Sequence, residues 1–223
     1  MSSTVVYVVR HAEREDYSKS NWMAEYPYLH SSDPPLADKG FRQAKATAQR
    51  FLDDELLRPL PGVIITSPYI RCVQTANEIA TVLDVSIWVE PGFSEVQNGG
   101  TYPPHFLKID ELKKRYPRID ESYKPIISCD ALSSEWGDDD CANRTANVVA
   151  KLLQNNVSGM PILFLGHGAS CYGMVQAVSS KRRNNGFYQG LATITQFSST
   201  LDTLLKGCSS HLKCDLGTNL RAY

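Results

Sequence analysis

Residues Val5-Val6-Tyr7-Val8-Val9 form an unbroken apolar, largely β-branched run, and Arg10-His11-Ala12-Glu13-Arg14 follows without a spacer. A strand with no polar alternation is buried on both faces, which points to a parallel sheet covered by helices on either side. The charged cluster then falls at the carboxyl end of that strand. Open α/β sheets keep their ligand crevice there, so a histidine between arginines is placed for chemistry on an anion. An ordinary charged surface loop is the alternative that this stretch alone leaves open.

A chain of 223 residues is within reach of one α/β domain built around a single core. We therefore expect one domain over residues 1–223, with an insertion at about 98–134, where the chain is irregular and rich in proline and tyrosine. The formal net charge of -1 gives no global attraction to nucleic acid or to an anionic membrane. Two short basic clusters, Lys113-Lys114-Arg115 with Arg118 and Lys181-Arg182-Arg183, read as solvated faces or partner contacts. Six cysteines lack C-x-x-C or finger spacing, the pattern of reduced thiols in a cytoplasmic or nuclear protein. No signal peptide or membrane anchor is visible.

Further strands are expected at Gly62–Thr66, at Val85–Val89 as an edge, and at Pro161–Leu165. Ala192–Phe197 and a run near Thr203–Leu205 close the sheet, one of them antiparallel. Phe41, Ala44, Ala48, Phe51 and Leu52 recur at helical spacing after Asp38, in a helix expected to end near Arg58-Pro59. Other helices are expected from Ser67-Pro68 to about Leu83, from about Pro104 to Tyr116, after Asp140, and over Tyr172–Val178. The fold class is α/β, a three-layer α/β/α sandwich with a mostly parallel central sheet and one antiparallel edge strand. The aromatic segment between Glu15 and Asp38 reads as a binding loop or lid, or as a loop packed by its own side chains.

Of the histidines, His11 and His167 each directly follow a buried strand. Arg10, Arg14 and Arg71 fall at the same edge, and guanidinium forks match phosphate oxygens. Nearby positive charge lowers a histidine pKa and keeps the ring nucleophilic. Glu95 lies just beyond the third strand.

Arg10-His11 with Arg14, Ser67-Pro68-x-x-Arg71-Cys72, Glu95 and Gly166-His167 together resemble the histidine phosphatase superfamily, the group that contains the cofactor-dependent phosphoglycerate mutases. His-Ala-Glu-Arg, Arg71-Cys72-Val73-Gln74-Thr75-Ala76 and Glu90-Pro91-Gly92-Phe93-x-Glu95 are most similar to the phosphatase domains of the TULA signalling proteins. Ser20-Asn21-Trp22 and the Pro-Leu-Ala element resemble the phosphatase-like subunit of yeast TFIIIC. The resemblance implies a phosphoglycerate mutase-like fold, His11 as the nucleophile that becomes phosphohistidine, and Arg10, Arg14, Arg71 and His167 as binders of the phosphoryl oxygens. Glu95 would be the proton donor and then the base, with no metal and no cofactor.

The implied activity is phosphoric monoester hydrolysis of the histidine acid type, on phosphotyrosine or another bulky or aryl phosphate in a phosphoprotein or small molecule. A steroid or other small-molecule phosphate is the enzymatic alternative, and a non-enzymatic subunit or scaffold the other. A homodimer is left open. A mutase is disfavoured because the Glu-Ser-x-Trp-Asn pattern is absent after His11. Two positions depart from the family pattern. Ala12 stands where glycine is usual, and would be strained by about 1 kcal/mol if its φ were positive. Val96 stands where the signalling phosphatases carry tryptophan.

Overall fold

The computed structural model describes residues 4–156, 159–178, 189–198 and 201–208. The apolar runs form strands β1 (Val5–Arg10), β2 (Val63–Thr66), β3 (Ser86–Val89), β4 (Ile162–Gly166), β5 (Ile194–Ser198) and β6 (Leu201–Cys208). They line up in the order β3-β2-β4-β1-β5-β6. β1 to β4 run parallel, β5 runs against β1, and β6 runs against β5. The antiparallel strand thus lies one place in from the edge, and β3 is the opposite edge, as its sequence suggested.

Helices α1 (Asp38–Asp53) and α2 (Ile70–Leu83) cover one face, while α4 (Asp138–Asn155) and α5 (Gly168–Val178) cover the other. The strand pleat explains this division. Tyr7, Val9, Ile64, Leu163 and Leu165 point to Ala48, Phe51, Val73 and Ile79 of α1 and α2. The alternate residues Val6, Val8, Val63, Ile65, Ile162 and Phe164 meet Val148, Val149, Leu152, Cys171 and Met174 of α4 and α5. Each central strand is therefore apolar at every position because both faces are dry. Helices α4 and α5 touch backbone to backbone. A Cβ on Gly173 would stand 2.2 Å from the Ala142 carbonyl oxygen, so only glycine permits the crossing.

Two helix expectations need correction. α1 ends at Asp53 rather than near Arg58, because the Arg58 guanidinium satisfies the terminal carbonyls of Phe51 at 2.7 Å and Leu52 at 3.0 Å. The helix expected from Pro104 is shorter, α3 (Ile109–Arg115). Its start is set by Glu111, whose carboxylate accepts from the Lys108 amide at 3.2 Å, while Phe106 upstream packs on Tyr69 with ring centroids 5.1 Å apart.

The first basic cluster is spent internally. Lys113 donates to the Pro117 and Ile119 carbonyls, Arg115 lies over Tyr28, and Arg118 pairs with Asp84. The second, Lys181-Arg182-Arg183, lies outside the described residues, as do His211 and Cys214. In the aromatic segment after Arg14, Trp22 and Leu29 are buried in the core whereas Tyr17 and Tyr28 are exposed. No helix among the described residues is long and apolar enough to cross a membrane.

Candidate active site

The crevice follows from topology. β1 and β4 are neighbours in register, Arg10 opposite Gly166, yet β1 leads to a helix on one face and β4 to a helix on the other. Helices leaving to opposite sides open a gap beyond the carboxyl ends of such a pair. His11 and His167 are the first residues beyond those ends, with ring centroids 5.3 Å apart at 62°.

Both rings are buried, and burial is the main cause that holds each pKa well below the usual imidazole value. For His11 the Arg71, Arg10 and Arg14 charges add to it. For His167 the Arg71 charge comes next. Nδ1 of His11 lies 2.7 Å from the Ala12 carbonyl oxygen. A carbonyl can only accept, so Nδ1 carries the proton and Nε2 keeps its lone pair. His167 is held in the opposite tautomer. Arg71 Nη2 donates to its Nδ1 at 3.2 Å, so Nε2 bears the proton and donates to Ser67 Oγ at 2.9 Å.

Arg71 sits in the first turn of α2 and is buried. Asp33 compensates it, 3.4 Å from Arg71 Nη1, and accepts from the Ile70 amide at 2.9 Å. Burial pushes Asp33 up to about 7, against the pull of Arg71 and that amide. The Nε of Arg71 is buried with no hydrogen-bond partner among the described residues, so it retains donor capacity for an anion.

Glu95 follows the turn Pro91–Phe93. Its Oε2 lies 3.4 Å from His167 Nδ1 and 3.8 Å from Arg71 Nη2, with the side chain 25% exposed. Arg10 and Arg14 lie near enough to bear on both histidines. Arg10 donates to the Gln189 carbonyl and flanks Gly168 at the start of α5. Arg14 is gripped by Asp16 through bonds of 2.9 and 2.5 Å and lies over Tyr17. All six residues singled out from the sequence therefore gather at one place.

Ala12 is not strained: among the described non-glycine residues only Asp84 and Ala192 have positive φ. Its methyl is buried beside Leu36 and Ala44, and its amide donates to Thr75 Oγ1 at 3.1 Å. Val96 is buried as well.

The sequence matches the histidine phosphatase superfamily (branch 1) over residues 6–201.

This chain belongs to the histidine phosphatase superfamily.

Superfamily membership extends to curated relatives. The chain is 35% identical over 141 residues to the transcription factor tau 55 kDa subunit of Saccharomyces cerevisiae, covering 61% of this chain and 28% of that one. It is 30% identical over 149 residues to human ubiquitin-associated and SH3 domain-containing protein A, covering 62% and 22% respectively. The chain thus spans about a quarter of the length of these relatives. Among solved structures it is similar to the ecdysone phosphate phosphatase of Bombyx mori, with TM-score 0.68, 21% identity and coverage of 86% and 88%. It is also similar to phosphoserine phosphatase from Entamoeba histolytica, with TM-score 0.56, 20% identity and coverage of 94% and 99%. Those two likenesses concern the fold, a phosphoglycerate mutase-like α/β sandwich.

Sequence reading missed four contributors: Asp33, the hydroxyl of Ser67, and the pair Glu135 and Arg144. Arg144 donates to Glu135 and to the carbonyls of Gly92, Ser94 and Glu95. One signal was available for Asp33, since an arginine buried at a strand end requires a nearby carboxylate.

Proposed function

We propose that this chain is a phosphomonoesterase that works through phosphohistidine at His11. The observation that carries the reading is the Nδ1 bond of His11 to the Ala12 carbonyl, which leaves Nε2 unprotonated in a buried, neutral ring. Nε2 attacks phosphorus, the bond to the ester oxygen breaks, and that oxygen takes a proton from Glu95. Water then attacks the phosphohistidine, the P–N bond breaks, and Glu95 takes a proton from the water. Arg71, Arg10, Arg14 and His167 hold the phosphoryl oxygens and stabilise their charge in flight. Residues His11, Glu95, His167, Arg10, Arg14 and Arg71 are thus the working set, and no step calls on a metal.

Aryl esters, phosphotyrosine among them, are the substrate class this site favours. Half-buried Phe106 packs on Tyr69, a buried ring that itself packs on His167, each at 5.1 Å, and exposed Tyr17 stands beside Arg14. Flat apolar surfaces beside a phosphate site suit a flat leaving group. A second reading, a phosphatase-like subunit of a larger assembly in the nucleus or cytoplasm, is favoured by the likeness to the yeast transcription factor subunit. The full complement of charged side chains at the crevice speaks for an enzyme.

A panel of phosphomonoesters assayed on the pure chain separates the two. The enzyme reading expects turnover of aryl phosphates, inhibition by vanadate or tungstate, indifference to chelators, and an acid-labile, base-stable phosphoryl label on His11. Failure to turn over any ester would leave the subunit reading.

A further inference from the structure

We infer that the Arg144–Glu135 ion pair is a positioning clamp for Glu95, fixing the backbone on both sides of that carboxylate. The inference rests on the reading of Glu95 as the proton donor to the leaving oxygen.

The geometry is specific. Arg144 meets Glu135 through two parallel bonds, Nε to Oε1 at 2.7 Å and Nη2 to Oε2 at 3.1 Å. Its remaining donors reach the turn that carries Glu95, with Nη1 to the Gly92 carbonyl at 2.8 Å and Nη2 to those of Ser94 at 3.3 Å and Glu95 at 3.2 Å. Glu135 holds the far side, accepting from the Gln97 amide at 2.9 Å and donating its own amide to the Gln97 carbonyl at 2.6 Å. Gln97 in turn donates to the Glu95 carbonyl at 2.8 Å. Thr145 and Cys141, on the same turn of α4 as Arg144, add bonds to the Gly92 and Ser94 carbonyls. Residues 92 to 97 are thus tied to α4, which is itself fixed against α5 at Gly173.

The chemistry explains why an ion pair stands here. Its side chains are only 11% and 7% exposed, and a buried pair offers little net stability over apolar packing. An apolar pair could fill the volume yet leave the Gln97 amide without its acceptor and strip the Gly92, Ser94 and Glu95 carbonyls of one donor each. Only a guanidinium offers a planar fork to one carboxylate together with further donors aimed elsewhere; lysine has a single ammonium. The Glu95 side chain is held more loosely by its own contacts. Among the described residues its Oε1 accepts the adjacent Val96 amide at 3.2 Å, its Oε2 has only the long contacts of 3.4 Å to His167 and 3.8 Å to Arg71, and it is a quarter exposed. Its placement therefore derives chiefly from the backbone, and the backbone is held by the clamp. The hydrogen bonds of Arg144 and Glu135 described above reach none of His11, His167 or Arg71, so loosening the clamp disturbs proton delivery and spares phosphoryl binding.

The test compares first-turnover rates for an aryl ester with a good leaving group, p-nitrophenyl phosphate, and for an alkyl ester, glycerol phosphate, which needs a proton. Arg144→Met is expected to slow the alkyl ester by roughly 10- to 100-fold, as displacement of a catalytic group does, and the aryl ester by no more than about 3-fold. Arg144→Lys restores less than half of the loss on a logarithmic scale. Vanadate affinity stays within about 2-fold of wild type, since the phosphoryl-binding residues are untouched. Glu95→Gln, measured in parallel, shows the same leaving-group selectivity, and adding Arg144→Met to it costs the alkyl ester nothing further.

Equal loss for both esters in Arg144→Met, or an additive double variant, would overturn the clamp while leaving Glu95 as the acid. Equal loss for both esters in Glu95→Gln would overturn the acid and the clamp together. Should Arg144→Met fail to melt cooperatively, Glu135→Gln decides. It keeps the fold's volume, loosens one side of the clamp, and is expected to show the same selectivity at about 3- to 10-fold; no selectivity would overturn the clamp.

Discussion

The crevice is built in two ways. Its floor, made of His11, His167 and Arg71, is set by strand register and by the first turn of a helix, and every side chain in it is buried. Its wall, the stretch from Glu90 through Glu95 with the segment that follows, has no regular pairing to set it and hangs on side chains that reach backbone far along the chain. Glu90 is the clearest case. Its carboxylate is buried and accepts from the Gly92, Ile126 and Ile127 amides and from Tyr123, at 2.7 to 3.1 Å. Five residues on, Glu95 is partly exposed and faces the histidines. One carboxylate is consumed by structure and its neighbour is left to the role of proposed proton donor. Burial and saturation of hydrogen bonds distinguish them, where residue type and spacing do not.

The floor breaks most visibly. His11→Ala is expected to cut turnover of an aryl phosphate by about 10⁴-fold or more, because no other group offers a free nitrogen to phosphorus. Steady-state assay with the melting temperature as control checks it, and substantial turnover would remove His11 from the nucleophile role.

Breaking the wall has a different signature. Glu90→Ala leaves the Gly92, Ile126 and Ile127 amides without their acceptor and should cost on the order of 3 kcal/mol of stability. At about 2–4 °C per kcal/mol for a chain of this size, the melting temperature falls by roughly 6–12 °C. Where the variant is folded, the aryl ester is still turned over within a few-fold of wild type. A loss confined to turnover, with melting unchanged, would mean that Glu90 belongs with Glu95.

The smallest effect returns to the floor. Ala12→Gly removes a buried methyl at an unstrained position and frees the chain beside His11. Stability should drop by about 0.5–1 kcal/mol, and turnover should stay within about 2-fold. A gain of 10-fold or more would show that the alanine restrains the floor.

This division also governs what could be read from residues alone. Floor elements announce themselves through short-range patterns: apolar runs ending in Arg10-His11 and Gly166-His167, and Ser67-Pro68 opening the helix that bears Arg71. Wall contacts are invisible at that range. Nothing near Glu135 or Arg144 marks them as partners of residues 92 to 97, and nothing near Asp33 marks it as the counter-charge of a residue 38 positions away. The end of α1 escapes the periodicity for the same reason, since Arg58 reaches back to cap it from outside the helical pattern. Even Glu95 was legible only through its family motif, while its supports were not.

The outermost parallel strand has its own dependence on the wall. β3 closes one side of the sheet, and its outer backbone is partly occupied by the segment around Ile119: Ile87 donates to the Arg118 carbonyl, and the Asp120 amide donates back to Ile87, each at 2.9 Å. An uncovered strand edge is a template for another chain. The same segment carries Phe106 against Tyr69, which in turn packs on His167. Packing behind His167 and protection against aggregation are therefore tied to one stretch of chain, so shortening it would also bare β3, and the damage would appear as precipitation before it appeared as altered turnover.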